Sequence, residues 1–450
     1  MKHRIYPRKP LGNPRFAWKQ RQFALSTFNC IGDDTDRTVR ECKEAGFNLL
    51  EVGWGSHEKV WEAVEACEKY GIDLIFQDLS VMGGMMHRHM DRPVDDNEIR
   101  RIVGILKEKK HTVGYYVWDE PYREDLFAEA RRQSDILLEC DPEALLFSVF
   151  PPSYNPGPTW DNGEYAGAFE EYVKRLEPPL LSMDYYPIGN YCKLYPGLVY
   201  TDEMQLDDSP MWLDLTVARN LARKYGLPMW FYYQGCDVYH APHLDFHMIR
   251  MMMYAGLLYG AKGLQNYTVT GACRIPEGEK SWPQKWTVLL GSGGKGEFFE
   301  DQKKIHEEIK QLGNTLLALE NRGVYHSDDL QPFGKYGEIY KDYREDISES
   351  TLLAGPLPQR TSAGEFSDAY GNRYLLVLNR DFYRPLNTQL KLKERCHIFT
   401  VSREDGKQHL LRENDDTLPV CLDGGDGILL RLQNAREAPF TVEYQLEETE

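Results

Sequence analysis

Short apolar runs alternate with amphipathic stretches of helical length from residue 23 onward. An apolar run of about four to eight residues between turn-forming residues is typical of a buried strand, whereas apolar positions spaced three and four apart are typical of a helix. The apolar runs predict strands at 23–30, 48–55, 73–79, 113–121, 144–151, 180–187, 228–235 and 262–269.

Helical patterns lie between these runs. Two examples are DDTDRTVRECKEAG (33–46), which begins with acidic residues, and HEKVWEAVEACEKYG (57–71), which ends at a glycine suited to a helix C-terminus. A repeated strand–helix unit of this kind is typical of an α/β fold with a parallel sheet, and eight such units predict a closed (β/α)8 TIM barrel.

The links between these elements differ in length. Helix-to-strand links are short and marked by glycine, at Gly46, Gly71, Gly226 and Gly260, whereas the links after the third, fifth, sixth and eighth strands are long. Parallel barrel strands bring all strand-to-helix links to one face, where TIM barrels carry their active sites. We therefore expect the chemistry at the C-terminal face of the barrel.

The pattern changes after a last predicted helix at 300–322. Segments such as NRYLLVLNRDF, TQLKLK and GILLRLQ are short and separated by turn residues, as in an antiparallel β-sandwich. The sequence thus predicts two domains, a barrel over 1–330 and a small C-terminal β-sandwich over 331–450. A chain of 450 residues with 42% apolar residues suffices for both.

Charge and hydropathy narrow the range of partners. The formal net charge is -17, and no Lys/Arg cluster stands out against it, so we expect neither a nucleic-acid nor a membrane partner. The N-terminal residues lack the apolar segment of a secretory signal, which favours a cytoplasmic protein, although a trimmed secreted chain would look the same. The pattern indicates no particular oligomeric state.

Cysteine and histidine positions give little sign of a cofactor. The nine cysteines are scattered and form no CxxC pair, as expected of reduced thiols. His87, His89 and Asp91 lie close together, but this short run has no fourth ligand nearby. We expect no metal and no other cofactor.

The fourth predicted strand, VGYYVWDEP, ends in two adjacent acids, Asp119 and Glu120. A carboxyl group beside a tryptophan, here Trp118, is easily kept protonated and can then act as a general acid. The alternative is structural: Asp119 caps the following helix and Glu120 bonds to a neighbouring strand end. Their position at the C-terminal end of a barrel strand favours the catalytic interpretation.

This motif resembles the clan A glycoside hydrolases, including the family 42 β-galactosidase-like barrels, in which an Asn-Glu or Asp-Glu pair ends strand four. The resemblance implies that Glu120 is the proton donor, with Asp119 beside it. The segment YAGLLYGAKGLQNY (254–267) is similar to the passage from helix seven to strand eight in these barrels. The similarity covers about residues 20–320 by pattern alone and names no substrate.

The seventh predicted strand departs from that family. A retaining clan A enzyme needs a second carboxylate there, about 5 to 5.5 Å from the acid, but the strand reads PMWFYYQGCD and has Gln234 at the expected position. One solution is Asp184, at the end of strand six. If it lies roughly 6.5 to 9.5 Å from Glu120, it can activate a water for inversion.

Two other solutions remain open. The Asp-Glu pair also resembles families 20 and 123, where the 2-acetamido group of the substrate attacks; Asp119 would then orient that group, with Tyr232 or Tyr233 as a partner of its oxygen. Alternatively, Asp237, three residues after Gln234, reaches back into the pocket.

Further polar and aromatic residues lie near the strand ends or on the long links. The candidate substrate-binding residues are Trp54, Asp78, Trp118, Tyr185, Tyr232, Gln234 and Gln265. Flat aromatic rings suit the apolar faces of sugars, and the links carry many, including Tyr154, Trp160, Tyr186, Tyr191, Tyr195, Trp212, Tyr239, Trp282 and Trp286. Glu51 near the end of strand two either binds a hydroxyl group or is a buried polar group of the barrel.

Together these features predict a glycoside hydrolase that cleaves an O-glycosidic bond in an oligosaccharide or glycoconjugate. Its catalytic residues would be Glu120, Asp119 and Asp184. One alternative is a carbohydrate-binding barrel without turnover, since the strand-seven carboxylate is missing. A third is a metal-dependent lyase or isomerase of a sugar acid that uses His87 or His89.

Overall fold

A computed structural model describes residues 1–52, 55–85, 90, 94–153, 164–188, 209–236, 244–270, 287–332 and 335–447. The first strand, β1 (Lys2–Arg8), lies outside the barrel. The next eight close a parallel barrel in chain order: β2 (Ala24–Thr27), β3 (Leu49–Glu51), β4 (Asp73–Phe76), β5 (Thr112–Asp119), β6 (Leu145–Phe150), β7 (Leu181–Tyr185), β8 (Met229–Gln234) and β9 (Gly263–Tyr267). Each coincides with a predicted strand, so the TIM barrel is confirmed.

Helices follow the barrel strands and cover the outside of the barrel. The described helices are α1 (Thr35–Glu44), α2 (His57–Tyr70), α3 (Asp96–Leu106), α4 (Glu124–Cys140), α5 (Glu164–Leu176), α6 (Met211–Tyr225), α7 (Phe246–Leu258), α8 (Phe299–Ala318) and α9 (Lys335–Tyr343). Gly71 and Gly226 end α2 and α6 with φ of 65°, a left-handed conformation that glycine adopts without strain. The chain turns sharply at both glycines and enters the next strand.

Large rings fill the barrel interior. Tyr116, Phe147, Trp230 and Tyr232 belong to one buried cluster inside the barrel, as expected because alternate residues of each strand point inward. Trp230 donates from Nε1 to Oε1 of Gln20 at 3.0 Å. The N-terminal segment that contains Gln20 therefore closes the end of the barrel where the strands begin.

The C-terminal part is an antiparallel β domain. Its strands are β10 (Glu320–His326), β11 (Thr361–Ser367), β12 (Arg373–Asn379), β13 (Leu386–Val401), β14 (Gln408–Leu422), β15 (Gly427–Asn434) and β16 (Phe440–Leu446). Six of them form one sheet in the order β10-β11-β12-β15-β13-β14, and β16 pairs in parallel with β1. The predicted small C-terminal β domain is thus observed, as a six-stranded and a two-stranded sheet.

The sheets place the domain boundary earlier than residue 330. The predicted last helix, 300–322, ends at Ala318, and β10 pairs with β11 and so belongs to the C-terminal sheet. A register shift between Asn321 and Gly323 interrupts the side-chain alternation that identifies a strand. At the other end of the chain, β1 also joins the β domain.

The two domains share a hydrophobic core. Buried side chains of the barrel helices and of one face of the C-terminal sheet belong to a single cluster. Arg403 donates to the Tyr254 hydroxyl of α7 at 3.2 Å and pairs with Asp426 at 2.7 Å, which ties the sheet to the barrel. Within the described ranges, no helix combines the length and apolar character needed to cross a membrane.

Candidate active site

The fourth barrel strand, β5, ends irregularly. Its register with β6 shifts between Tyr116 and Trp118, which marks a β-bulge, and the Asp119 amide donates to the Gly84 carbonyl at 2.8 Å. Glu120 then has φ of 49°, in the left-handed region that few non-glycine residues adopt. Residues held in this region cluster at functional sites.

This turn brings two consecutive acidic side chains to the barrel interior. On a regular strand, consecutive side chains point to opposite faces. Here Oδ1 of Asp119 accepts from the hydroxyl of Tyr116 at 2.8 Å, and the Tyr116 ring lies inside the barrel. The side chain of Glu120 lies near enough to Asp184 of β7 to influence its ionisation. The structure thus brings all three predicted catalytic residues together.

Asp184 is the most deeply buried member of this group, with 2% of its surface exposed. Burial raises the pKa of Asp184 to about 7, and the negative charge of Asp119 adds to the increase, while hydrogen bonds from Tyr186 and Glu120 oppose it. The carboxyl pair of Glu120 and Asp184 therefore retains a proton near neutral pH, which is what a general acid requires.

The spacing of the two carboxyl groups distinguishes two mechanisms. An inverting enzyme keeps its carboxyl groups roughly 6.5 to 9.5 Å apart so that a water fits between them, whereas a retaining enzyme keeps them about 5 to 5.5 Å apart. The side chains of Glu120 and Asp184 lie near enough to influence each other's ionisation. The separation of roughly 6.5 to 9.5 Å considered from the sequence stays a prediction.

A layer of buried polar side chains crosses the barrel beside the pair. Glu51 accepts hydrogen bonds from Oγ of Ser26 at 2.6 Å, from Nε2 of Gln265 at 2.8 Å and from the Tyr232 hydroxyl. Gln265 in turn accepts from Oγ of Ser182 at 2.8 Å. Burial raises the pKa of Glu51 to about 7. Tyr232 and Gln265, predicted to bind substrate, lie inside this layer and bond to the protein itself.

Aromatic rings line the strand ends next to Asp184. The Tyr186 ring stacks on Tyr267 with centroids 4.3 Å apart, and Tyr267 stacks on Phe28 at 5.8 Å. Tyr186 and Tyr267 are partly exposed, so they can offer a flat apolar face to a sugar. Tyr186 was expected on a link from the sequence, whereas Tyr267 and Phe28 were not predicted, although both lie at a predicted strand's C-terminal end.

Two predicted substrate contacts face the helices instead. Trp118 is 1% exposed and packs against Gly84, where an added Cβ would lie 2.4 Å from the indole ring. Tyr185 is buried in the cluster between the strands and the helices. The bulge turns Trp118 away from the interior, and Tyr185 points outward because its neighbour Asp184 points inward.

Gln234, at the position expected for a nucleophile, has a structural role. It is fully buried, its Oε1 accepts from the Ile188 amide at 2.8 Å, and its Nε2 donates to the carbonyl oxygens of Ile188 and Cys236. An amide both donates and accepts, whereas a carboxylate only accepts. This explains why glutamine fits here: it holds the link that follows β7.

Asp78 is also occupied by internal bonds. Its carboxylate accepts from Nδ1 of His57 at 2.6 Å and from the Ser80 amide at 2.9 Å, and it is buried. It therefore shapes the turn after β4 instead of facing the opening.

Other candidates lie elsewhere. Tyr233 faces the helices and donates to Gln302 of α8 at 3.2 Å, so it is not a partner of a bound acetamido group. Trp54, His87, His89, Asp91 and Asp237 lie outside the described residues, as do Tyr154, Trp160, Tyr191, Tyr195, Tyr239, Trp282 and Trp286.

One buried acid near the pair was not singled out from the sequence. Asp214, in the first turn of α6, accepts from the Ser153 amide at 2.8 Å, and burial raises its pKa to about 8. An aspartate within the apolar run MWLDLTV was the available signal. In the described part of the chain, no group of three His, Cys, Asp or Glu side chains is arranged to hold a metal ion.

No family model and no curated protein matches the chain in sequence. Solved structures share its fold. One described as a glycoside hydrolase has a TM-score of 0.52 at 12% identity, over 97% of this chain and 100% of its own. A glycoside hydrolase family 5 protein from Bacteroides vulgatus ATCC 8482 has a TM-score of 0.52 at 13% identity, over 95% and 94%. This likeness extends over both domains and is one of fold.

Proposed function

We propose that this protein is a glycoside hydrolase whose carboxyl pair is Glu120 and Asp184. The observation that carries the proposal is the proximity of these two acidic side chains, which come from strands separated by β6 and meet at the C-terminal end of the barrel. Such a pair can give a proton to a glycosidic oxygen. The descriptions of the solved structures with this fold agree with the proposal.

Glu120 is the proposed proton donor because it is partly exposed and can reach a bound substrate, whereas Asp184 is buried. In the form that reacts, the proton of the pair is on Glu120 and Asp184 is ionised. In the first step the bond from the anomeric carbon to the leaving oxygen breaks, that oxygen takes the Glu120 proton, and the Asp184 carboxylate forms an ester with the anomeric carbon. Water then cleaves the ester and returns a proton to Glu120. This is the retaining sequence, and it predicts that the anomeric configuration is kept.

The rings of Tyr186 and Tyr267 are the proposed platform for the sugar. Tyr186 both stacks on Tyr267 and donates a hydrogen bond to Asp184. A sugar whose apolar face lies on these rings would have its anomeric carbon near the carboxyl pair. The substrate class is an oligosaccharide or glycoconjugate.

Hydrolysis of a panel of aryl glycosides by the purified full chain tests the proposal. We expect Glu120→Gln to lower kcat/KM by about 10²-fold or more for glycosides whose leaving group is weakly acidic, while a glycoside still raises the melting temperature of the variant. Glu124→Gln, at an exposed position at the start of α4, is the matched control and should keep full activity. Unchanged turnover of glycosides with a weakly acidic leaving group in Glu120→Gln would reject Glu120 as the acid.

The anomer released first, observed by proton NMR, tests the role of Asp184. Retention is expected, and Asp184→Asn should be inactive but form an inverted glycosyl azide when azide is added. Release of the inverted anomer would contradict the ester with Asp184. Glycosides that raise the melting temperature but are never cleaved would support a carbohydrate-binding barrel instead.

A further inference from the structure

Glu51 is a buried carboxyl group that the proposed reaction does not use. Its side chain is fully enclosed in the barrel and is bound by Ser26, Gln265 and Tyr232. All three donors are neutral, and hydrogen bonds donated to a carboxylate favour its ionised form. A charge held in this way acts strongly on its neighbours because no water screens it.

Two chains of contacts connect Glu51 to the carboxyl pair. Tyr232, which donates to Glu51, lies opposite Asp184 in the register of β7 and β8. Gln265, which also donates to Glu51, accepts from Ser182, two residues before Asp184 on the same inner face of β7. Glu51 is therefore held in fixed geometry relative to Asp184.

The phenol of Tyr116 shows how close these charges are. Burial raises the pKa of Tyr116 well above its ordinary value, and the negative charges of Asp119, Glu51 and Asp184 all add to the increase. A single hydroxyl group thus experiences all three carboxylates. Each of them disfavours the ionisation of the others.

We propose that Glu51 is a positioning residue whose buried carboxylate, once ionised, keeps one proton on the Glu120–Asp184 pair. This inference rests on the proposed function, since the retained proton is the one given to the glycosidic oxygen. Glu51 touches neither substrate nor reacting atoms. It acts by opposing the loss of that proton as the pH rises.

The strands around Glu51 contribute few other titratable groups. Among the described residues, those that face the site are Cys30 after β2, Tyr116, Asp119 and Glu120 on β5 and its end, Asp184 on β7 and Tyr232 on β8. β2 and β9 contribute the neutral Ser26 and Gln265. Asp119 and the buried Asp214 of α6 also interact electrostatically with Asp184, so a test must change Glu51 alone.

The pH profile of kcat/KM provides that test. We expect Glu51→Gln to move the basic limb to lower pH by about one unit, because the pair then loses its proton more easily. Glu51→Asp keeps the charge and should keep the limb near its original position. Ser182→Ala disturbs the same polar layer through Gln265 without changing a charge, and it too should leave the limb in place. A basic limb that stays in place in Glu51→Gln would overturn the proposal.

A second readout does not depend on turnover. NMR titration of carbon-13-labelled Asp and Glu carboxyl groups reports the ionisation of the pair directly, with Asp184→Asn used to assign its signals. The proposal requires the pair to titrate at lower pH in Glu51→Gln than in Ser182→Ala and in the unmodified chain. An equal midpoint in all three contradicts it. If no glycoside is cleaved but the midpoint shifts, the proposed function fails and the role of Glu51 stands.

Discussion

At the scale of single residues, a buried carboxyl group that keeps its proton costs stability as the pH rises. An aspartate in the unfolded chain ionises near pH 4, whereas the pKa of the buried Asp184 is about 7. Between these values the folded protein binds more protons than the unfolded chain, so the free energy of unfolding falls as the pH rises and no such loss exists below pH 4.

Asp184→Asn should therefore lose less stability between pH 4 and pH 8 than the unmodified chain. Each unit of pKa difference is worth about 1.4 kcal/mol, so the two should differ by up to ~4 kcal/mol at pH 8. Urea unfolding at both pH values measures this. Asp301→Asn, at an exposed position in the first turn of α8, is the control. Parallel pH dependences for the unmodified chain and Asp184→Asn would contradict a raised pKa at Asp184.

The sequence predicted where the acidic residues lie on the barrel strands. It did not predict which way the side chains next to them point. Asp119, Glu120 and Asp184 were identified because they end inner barrel strands, and strand ends follow from the apolar pattern. Trp118 was wrongly expected in the opening, since the bulge before it leaves no trace in the pattern. The partners of Gln234 lie on a different strand end and could not be predicted from local sequence.

At the scale of elements, Gly84 packs so closely against the end of β5 that one added methyl group should destabilise the protein. An added Cβ at Gly84 would lie 2.4 Å from the Trp118 ring, and overpacking of this kind costs about 1–3 kcal/mol. Gly84→Ala should therefore lower both stability and activity, because the Gly84 carbonyl also accepts from Asp119. Chemical denaturation and kcat/KM measure the two effects.

Gly104→Ala is the matched control for Gly84→Ala. Nothing lies within 4 Å of a Cβ added at Gly104 in α3, and alanine favours a helix over glycine by roughly 0.5–1 kcal/mol. This variant should be slightly more stable and fully active. Equal effects of the two substitutions would contradict the close packing of Trp118 under Gly84.

The end of β8 gives a second prediction at this scale. Gln234→Glu would supply the carboxylate that retaining clan A glycoside hydrolases carry at this strand end, but it would lose the donor to Ile188 and Cys236. We expect a loss of about 1–3 kcal/mol of stability and no gain in hydrolysis. Urea unfolding and the aryl glycoside assay measure both quantities. Higher activity in Gln234→Glu would show that this position, and not Asp184, provides the nucleophile.

At the scale of the whole molecule, the shared core predicts that both domains unfold together. All tryptophans lie between residues 18 and 286, so their fluorescence reports on the barrel and its N-terminal segment, whereas far-ultraviolet circular dichroism reports on both domains. Because barrel helices and the C-terminal sheet share one hydrophobic cluster, the two signals should change at the same urea concentration. Separate midpoints would contradict a common core.

The architecture was predictable because it depends on repetition. Eight strand–helix units identify a barrel even when single boundaries are inexact. The position of the domain boundary depends instead on long-range pairing: β10 joins β11, and β1 pairs with β16 from the opposite end of the chain. No local pattern marks these partners, so the sequence assigned both segments to the barrel.

The most direct measurement compares leaving groups in the Glu120→Gln variant. A glycoside with a strongly acidic phenol as leaving group needs little protonation, whereas an alkyl glycoside depends on the acid. If Glu120 is the proton donor, Glu120→Gln should hydrolyse the alkyl glycoside far more slowly than the unmodified chain and the activated aryl glycoside at a similar initial rate. An equal loss for both leaving groups would contradict a proton-donating Glu120.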